Sequence, residues 1–218
     1  MPLDLRLPII YPITPGKTTA QSTPEDPQFA YILRSVQAAV AAGIPLFQIR
    51  EKLLSGRVLY ELVARAVEIT RGSDTQLLVN DRSDIARAAG ADGVHLTTQS
   101  LPADVVREIC GPEFFIGVST HSSEEARVAR VRGADFVVFG PIFATESKRE
   151  FGEPQGLARL RQITNELGGF PVVAIGGITL DNVAACFDAG ASGVAAIRLL
   201  NDAERISSIA EVIRSVYK

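Results

Sequence analysis

Short apolar runs alternate with longer amphipathic stretches along the chain. The runs fall at residues 8–13, 46–49, 76–79, 93–96, 114–118, 136–139, 172–175 and 193–197. They are rich in Val, Ile, Leu and Phe and are continuous rather than alternating, as suits strands covered on both faces. The stretches between them carry helical spacing. Residues 29–42 place Ile32, Val36, Ala39 and Val40 on one stripe, and residues 58–70 do the same with Leu59, Leu62, Val63, Ala66 and Ile69. Residues 82–89, 103–110, 122–131, 156–167, 180–189 and 203–216 complete eight predicted helices. Ser122, followed three residues later by Glu125, reads as a capping box.

A repeat reinforces the alternation. Gly43, Gly90, Gly133 and Gly190 each close a helix just before an apolar run, where a left-handed cap is expected. Eight strands alternating with eight helices predict a single-domain (β/α)₈ barrel over residues 1–218. The competing fold is an open doubly wound sheet. It is disfavoured because no Gly-x-Gly-x-x-Gly turn follows the first strand. The polar, Pro-rich residues 15–27 make a long first loop, either a lid or a surface excursion.

Composition narrows the function. The net charge is -3, from 22 Lys+Arg and 25 Asp+Glu, so no basic excess points to nucleic acid or an anionic membrane. Trp is absent and aromatics are 6%, which argues against a base-stacking platform. Cys110 and Cys186 lack metal-ligand spacing and suit buried thiols in a reducing compartment. The start lacks a secretory pattern, and no apolar run of roughly 18 residues could span a membrane. A cytoplasmic protein is therefore expected. The sequence carries no mark of its oligomeric state.

In a barrel the site forms where the strands end. Gln48, Arg50, Glu51 and Lys52 follow strand 2, and Asn80, Asp81 and Arg82 follow strand 3. His95 ends strand 4; Ser119, Thr120 and His121 end strand 5. A loop with Thr145, Ser147 and Lys148 follows strand 6, Gly176 and Gly177 follow strand 7, and Ile197 and Arg198 follow strand 8. The cations Arg50, Lys52, Arg82, Lys148 and Arg198 suit a phosphate or diphosphate. Gly176, Gly177 and a helix start at Thr179 would offer backbone amides to a phosphate. Asp81 could hold a Mg²⁺ bridging phosphate oxygens. Blander roles are available too. Arg50 could pair with Glu51, Asp81 could cap the next helix, Ser119 and Thr120 could be ordinary polar residues before a helix, and His95 could pack in the core.

Several motifs occur together: Gln48-Ile49-Arg50-Glu51-Lys52, Asn80-Asp81-Arg82, Ala91-Asp92-Gly93-Val94-His95-Leu96, Val118-Ser119-Thr120-His121-Ser122, Phe139-Gly140-Pro141-Ile142-Phe143, Thr145-Glu146-Ser147-Lys148 and Ala174-Ile175-Gly176-Gly177-Ile178. In order and spacing they resemble the thiamine phosphate synthase family, which includes TenI-type thiazole tautomerases. The resemblance implies a barrel enzyme that joins an aminopyrimidine-methyl diphosphate to a thiazole phosphate and releases pyrophosphate. It implies that Gln48, Arg50, Lys52, Asn80, Ser119 and Lys148 meet the pyrimidine diphosphate. Asp81 would carry Mg²⁺, while Thr145, Ser147, Gly177 and Ile197 would hold the thiazole phosphate. Arg50, Lys52 and Lys148 would stabilise the departing diphosphate, and Arg198 stands where the family usually has Ser.

Other positions depart from the synthase pattern. A second Mg²⁺-binding Asp falls on Ser100, and the Thr-x-Thr-Lys motif reads Thr145-Glu146-Ser147-Lys148. The tautomerase branch also lacks that Asp, but it places a His where this chain has Pro141. A thiazole phosphate tautomerase and a barrel that binds a precursor without turnover are the alternatives.

Overall fold

The computed structural model describes residues 6–144 and 153–217. Among them, eight strands alternate with eight helices: β1 (Ile9–Pro12), α1 (Pro27–Ala41), β2 (Leu46–Ile49), α2 (Gly56–Thr70), β3 (Gln76–Asn80), α3 (Ser83–Ala89), β4 (Gly93–Leu96), α4 (Ala103–Cys110), β5 (Phe115–Thr120), α5 (Ser123–Val131), β6 (Phe136–Phe139), α6 (Gly156–Leu167), β7 (Val172–Ile175), α7 (Val183–Asp188), β8 (Gly193–Ala196) and α8 (Ile206–Val216). All strand pairs are parallel, in the order β1-β8-β7-β6-β5-β4-β3-β2. The ring closes between β1 and β2 through the bridge of Ile13 with Gln48, where the Thr14 amide donates to the Gln48 carbonyl at 3.0 Å. This is the predicted (β/α)₈ barrel.

Strand parity splits the apolar residues into two cores. Ile9, Tyr11, Leu46, Leu78, Phe115, Phe136, Val138, Val173 and Ala195 fill the lumen. Their neighbours Ile10, Phe47, Leu77, Val94, Ile116, Val137, Val172 and Val194 pack outward with the helices. Glycine makes room in the lumen: a Cβ on Gly117 would lie 2.4 Å from Phe136 Cζ and 2.9 Å from His95 Nδ1.

The helix-to-strand repeat has a physical basis. Gly43, Gly90, Gly133 and Gly190 all have positive φ, as the cap requires. At two of the four turns the repeat also supplies an Asp that ties neighbouring strands. Asp92 Oδ2 accepts from the Leu77 amide, and Asp135 Oδ2 accepts from the Ile116 amide, both at 2.7 Å. Burial raises both carboxyls above the ordinary range despite those bonds. Arg107 adds a 2.7 Å ion pair to Asp135.

Two helices, α7 and α8, start three residues later than periodicity predicts. Before α7, the Asn182 side chain accepts from the Thr179 amide and donates to the Gly177 carbonyl, both at 2.9 Å, which holds a turn. Before α8, Asp202 organises a turn through its carbonyl and Oδ1. The capping box forms as predicted on Ser122, which accepts from the Glu125 amide at 3.2 Å; the Glu125 carboxylate in return accepts from the His121 amide at 2.6 Å.

Candidate active site

The strand register puts the polar residues of β2 to β5 on one wall of the mouth. Asn80 sits beside His95 on β3 and β4, and His95 beside Gly117 on β5, two residues before Ser119. Gln48 Nε2 donates to Asn80 Oδ1 at 3.2 Å. Gln48 is 1% exposed, and its Oε1 is buried without a hydrogen-bond partner among the described residues. A buried acceptor without a protein partner favours a ligand that brings a donor.

His95 is buried between Tyr11 and Ser119. Tyr11 Oη is 3.3 Å from His95 Nδ1, and His95 Nε2 is 2.8 Å from Ser119 Oγ. Burial, with a smaller contribution from the Arg50 charge, pushes the His95 pKa down to about 3, so the ring is neutral. Burial likewise raises the Tyr11 phenol well above its ordinary range. The core role considered for His95 is therefore correct, and it places the ring directly behind a mouth residue. Ser119 lies within β5, rather than being an ordinary polar residue ahead of a helix; the cap of α5 is Ser122. Thr120 is buried, and its Oγ1 has no hydrogen-bond partner among the described residues.

Arg50 and Glu51 do not pair, contrary to one expectation. Glu51, 3% exposed, accepts from the Gly16 amide at 3.1 Å, the Thr18 amide at 3.2 Å and Thr18 Oγ1 at 2.6 Å. The Arg50 amide donates to Thr14 Oγ1 at 2.8 Å, and a Cβ on Gly16 would lie 3.4 Å from an Arg50 guanidinium nitrogen. The first loop is thus stitched to the end of β2, with the Arg50 side chain against it. Lys52 is exposed beyond this point. Arg82 is engaged elsewhere, donating to both Asp84 oxygens at 2.9 and 2.6 Å.

Asp81 does not cap α3; the cap position is Arg82, with no side-chain cap bond. Asp81 is an exposed residue at φ 64, a left-handed conformation that Asp tolerates better than most residues. Its carboxylate takes part in none of the described hydrogen bonds. Among the described residues no group of three or more His, Cys, Asp or Glu could hold a metal. Asp81 would thus be the one carboxylate available to a Mg²⁺ at this strand end, a small donor set that would leave most of the ion's coordination to other oxygens. Ser100 Oγ instead accepts from the Thr97 amide at 2.8 Å.

After β7, the expectation of a phosphate-ready amide at Thr179 is corrected, because Asn182 already occupies it. Gly177, at φ 66, packs so closely on the β6 loop that a Cβ would lie 2.7 Å from Phe143 Cβ. Ile197 joins the lumen core, and Arg198 is an exposed side chain with an interaction of its own. Thr145, Ser147 and Lys148 lie outside the described residues. Pro141 keeps the histidine of the tautomerase branch absent, while the His121 ring reaches the adjoining Gly140 carbonyl, with Nδ1 at 2.6 Å.

Sequence reasoning missed three contributors: Tyr11, Thr18 and Asn201. Strand parity with Ile9 and Ile13 would have pointed Tyr11 inward. Asn201 Nδ2 donates to the Ile13 carbonyl at 2.6 Å and also to Ile197, joining the ends of β1 and β8. No local pattern signals either Thr18 or Asn201.

The geometry defines a parallel (β/α)₈ barrel whose mouth carries a buried amide pair, a buried histidine and strand-end cations. Comparison with known proteins makes the class specific. Residues 11–200 match the family model for thiamine monophosphate synthase. The chain is 44% identical over 184 residues to a thiamine-phosphate synthase of Moorella thermoacetica, covering 84% of this chain and 87% of that protein. It is 37% identical over 219 positions to the thiamine-phosphate synthase of Koribacter versatilis, covering 99% and 100%. The solved thiamine phosphate pyrophosphorylase from Pyrococcus furiosus superposes with a TM-score of 0.80 at 34% identity, over 98% of both chains. The chain belongs to the thiamine monophosphate synthase family.

Proposed function

We propose that this protein is a thiamine-phosphate synthase, joining an aminopyrimidine-methyl diphosphate to a thiazole phosphate with release of pyrophosphate. The observation that carries the reading is the end of β2. There a buried acceptor, Gln48 Oε1, lies without a partner among the described residues, on the same strand end that leads into Arg50 and Lys52. An amino group on an aromatic ring would satisfy the acceptor while its diphosphate meets the cations above.

The chemistry follows from that orientation. The C–O bond to the diphosphate breaks, leaving a carbocation stabilised by the aminopyrimidine. The thiazole nitrogen then donates its lone pair to form the C–N bond. Arg50, Lys52 and Lys148 stabilise charge developing on the leaving diphosphate. Gln48, Asn80 and Ser119 orient the pyrimidine. Thr145, Ser147, Gly177, Ile197 and Arg198 receive the thiazole phosphate and hold the ring at attack distance. Magnesium is part of the proposal: Asp81 would hold it, and it would supply further charge neutralisation on the diphosphate.

The test is incubation with both substrates and Mg²⁺. Equal amounts of thiamine phosphate and pyrophosphate are expected. No product above background from folded protein would refute the reading. Conversion of the thiazole carboxylate phosphate alone into its tautomer would favour the isomerase instead.

A further inference from the structure

Tyr11, His95 and Ser119 form a hydrogen-bonded line from the buried centre of the barrel to its mouth. Heavy-atom positions alone allow the line to run either way; proton accounting decides it. Tyr11 is fully buried, and its hydroxyl has one polar neighbour among the described residues, His95 Nδ1 at 3.3 Å. A buried O–H needs an acceptor. If Nδ1 carried a proton, it would point at the phenol and leave the Tyr11 proton with no acceptor. Nδ1 is therefore bare and accepts from Tyr11. A neutral imidazole then carries its proton on Nε2, which donates to Ser119 Oγ at 2.8 Å. A doubly protonated ring would strand the Tyr11 proton in the same way, and among the described residues no carboxylate is hydrogen-bonded or ion-paired to the ring to offset its charge.

The surroundings hold this arrangement rigid. Phe136 meets the Tyr11 ring edge-on at 5.6 Å and lies 6.2 Å from the His95 ring. Gly117 leaves the space the imidazole occupies.

We infer that Tyr11 and His95 are positioning residues that lock the Nε2–H tautomer and make Ser119 a hydrogen-bond donor toward the ligand. The Nε2–H fills one of the two Ser119 lone pairs and cannot itself accept, so the Ser119 hydroxyl keeps its proton for another acceptor and can offer it toward the mouth. The group that takes this proton is an acceptor, such as a diphosphate oxygen or an unprotonated ring nitrogen. This inference rests on the synthase reading for the identity of that ligand, but not for the tautomer itself.

The chain has two histidines, so ¹⁵N-labelled protein gives a readable imidazole spectrum, with His121→Gln assigning the signals. His95 should show a bare Nδ1 and a protonated Nε2 at neutral pH. A protonated Nδ1, alone or together with Nε2, overturns the inference. Kinetics supply the second arm. Tyr11→Phe should lower kcat/KM for the pyrimidine diphosphate by about 3- to 10-fold, the equivalent of one neutral hydrogen bond. In a Ser119→Ala background the same change should cost nothing further; an equal loss in both backgrounds overturns the relay. Failure of the wild-type protein to make product would defeat the synthase reading, while the spectrum would still decide the tautomer.

Discussion

Glu51 is where the structure makes its strongest mutational demand. Its carboxylate is buried at the end of β2 and holds three donors of the first loop, at 2.6 to 3.2 Å. Hydrogen bonds to a charged group contribute about 1.5–3 kcal/mol each, but they do not sum here. Gly16 is exposed and regains water once the carboxylate is gone, whereas Thr18, at 3% exposure, does not. Glu51→Ala should therefore cost about 3 kcal/mol, with Glu51→Gln near half of that because one acceptor oxygen survives. Urea unfolding monitored by circular dichroism reads this as a lower midpoint at unchanged slope. Because Gly16 packs against Arg50, kcat/KM should fall by about 10-fold or more with the loop released, as small displacements of positioning groups commonly cost. A Glu51→Ala protein within about 0.5 kcal/mol of wild type would refute the reasoning, since that is the range of an ordinary surface change.

Other consequences follow from the same geometry. Gly117→Ala should destabilise by about 1–3 kcal/mol, since its methyl meets Phe136 and His95; thermal melting checks it. His95 binds its proton at pH 6.5 when unfolded and at about 3 when folded, so below pH 6.5 the unfolded chain holds the extra proton. Stability should fall on acidification between those values, by at most about 1.4 kcal/mol per pH unit from this group, and His95→Gln should flatten the profile. Ser100→Asp keeps an acceptor for the Thr97 amide and should fold normally while lowering the Mg²⁺ concentration needed for activity; an unchanged requirement argues against a metal beside Asp81.

Much of this was legible in the chain. Eight buried strands and eight amphipathic helices follow from period and length, and the four glycine caps mark the helix ends. The strand-end residues could be collected because barrel topology sends them to one rim. What escaped was non-local. Arg50 and Glu51 are neighbours in sequence, and a pair seemed natural, yet Glu51 instead satisfies loop amides more than thirty residues earlier. The Thr179 amide looked available until Asn182 folded back upon it. Tyr11 read as one more apolar strand residue, because nothing local shows that its hydroxyl meets a histidine 84 residues away.

The central claim is that the end of β2 holds a diphosphate. Calorimetric titration of pyrophosphate with Mg²⁺ into wild-type and Arg50→Met protein tests it most directly. Loss of one charge-assisted guanidinium contact, about 1.5–3 kcal/mol, should weaken binding by about 10- to 150-fold. Equal affinity in the two proteins would contradict the account.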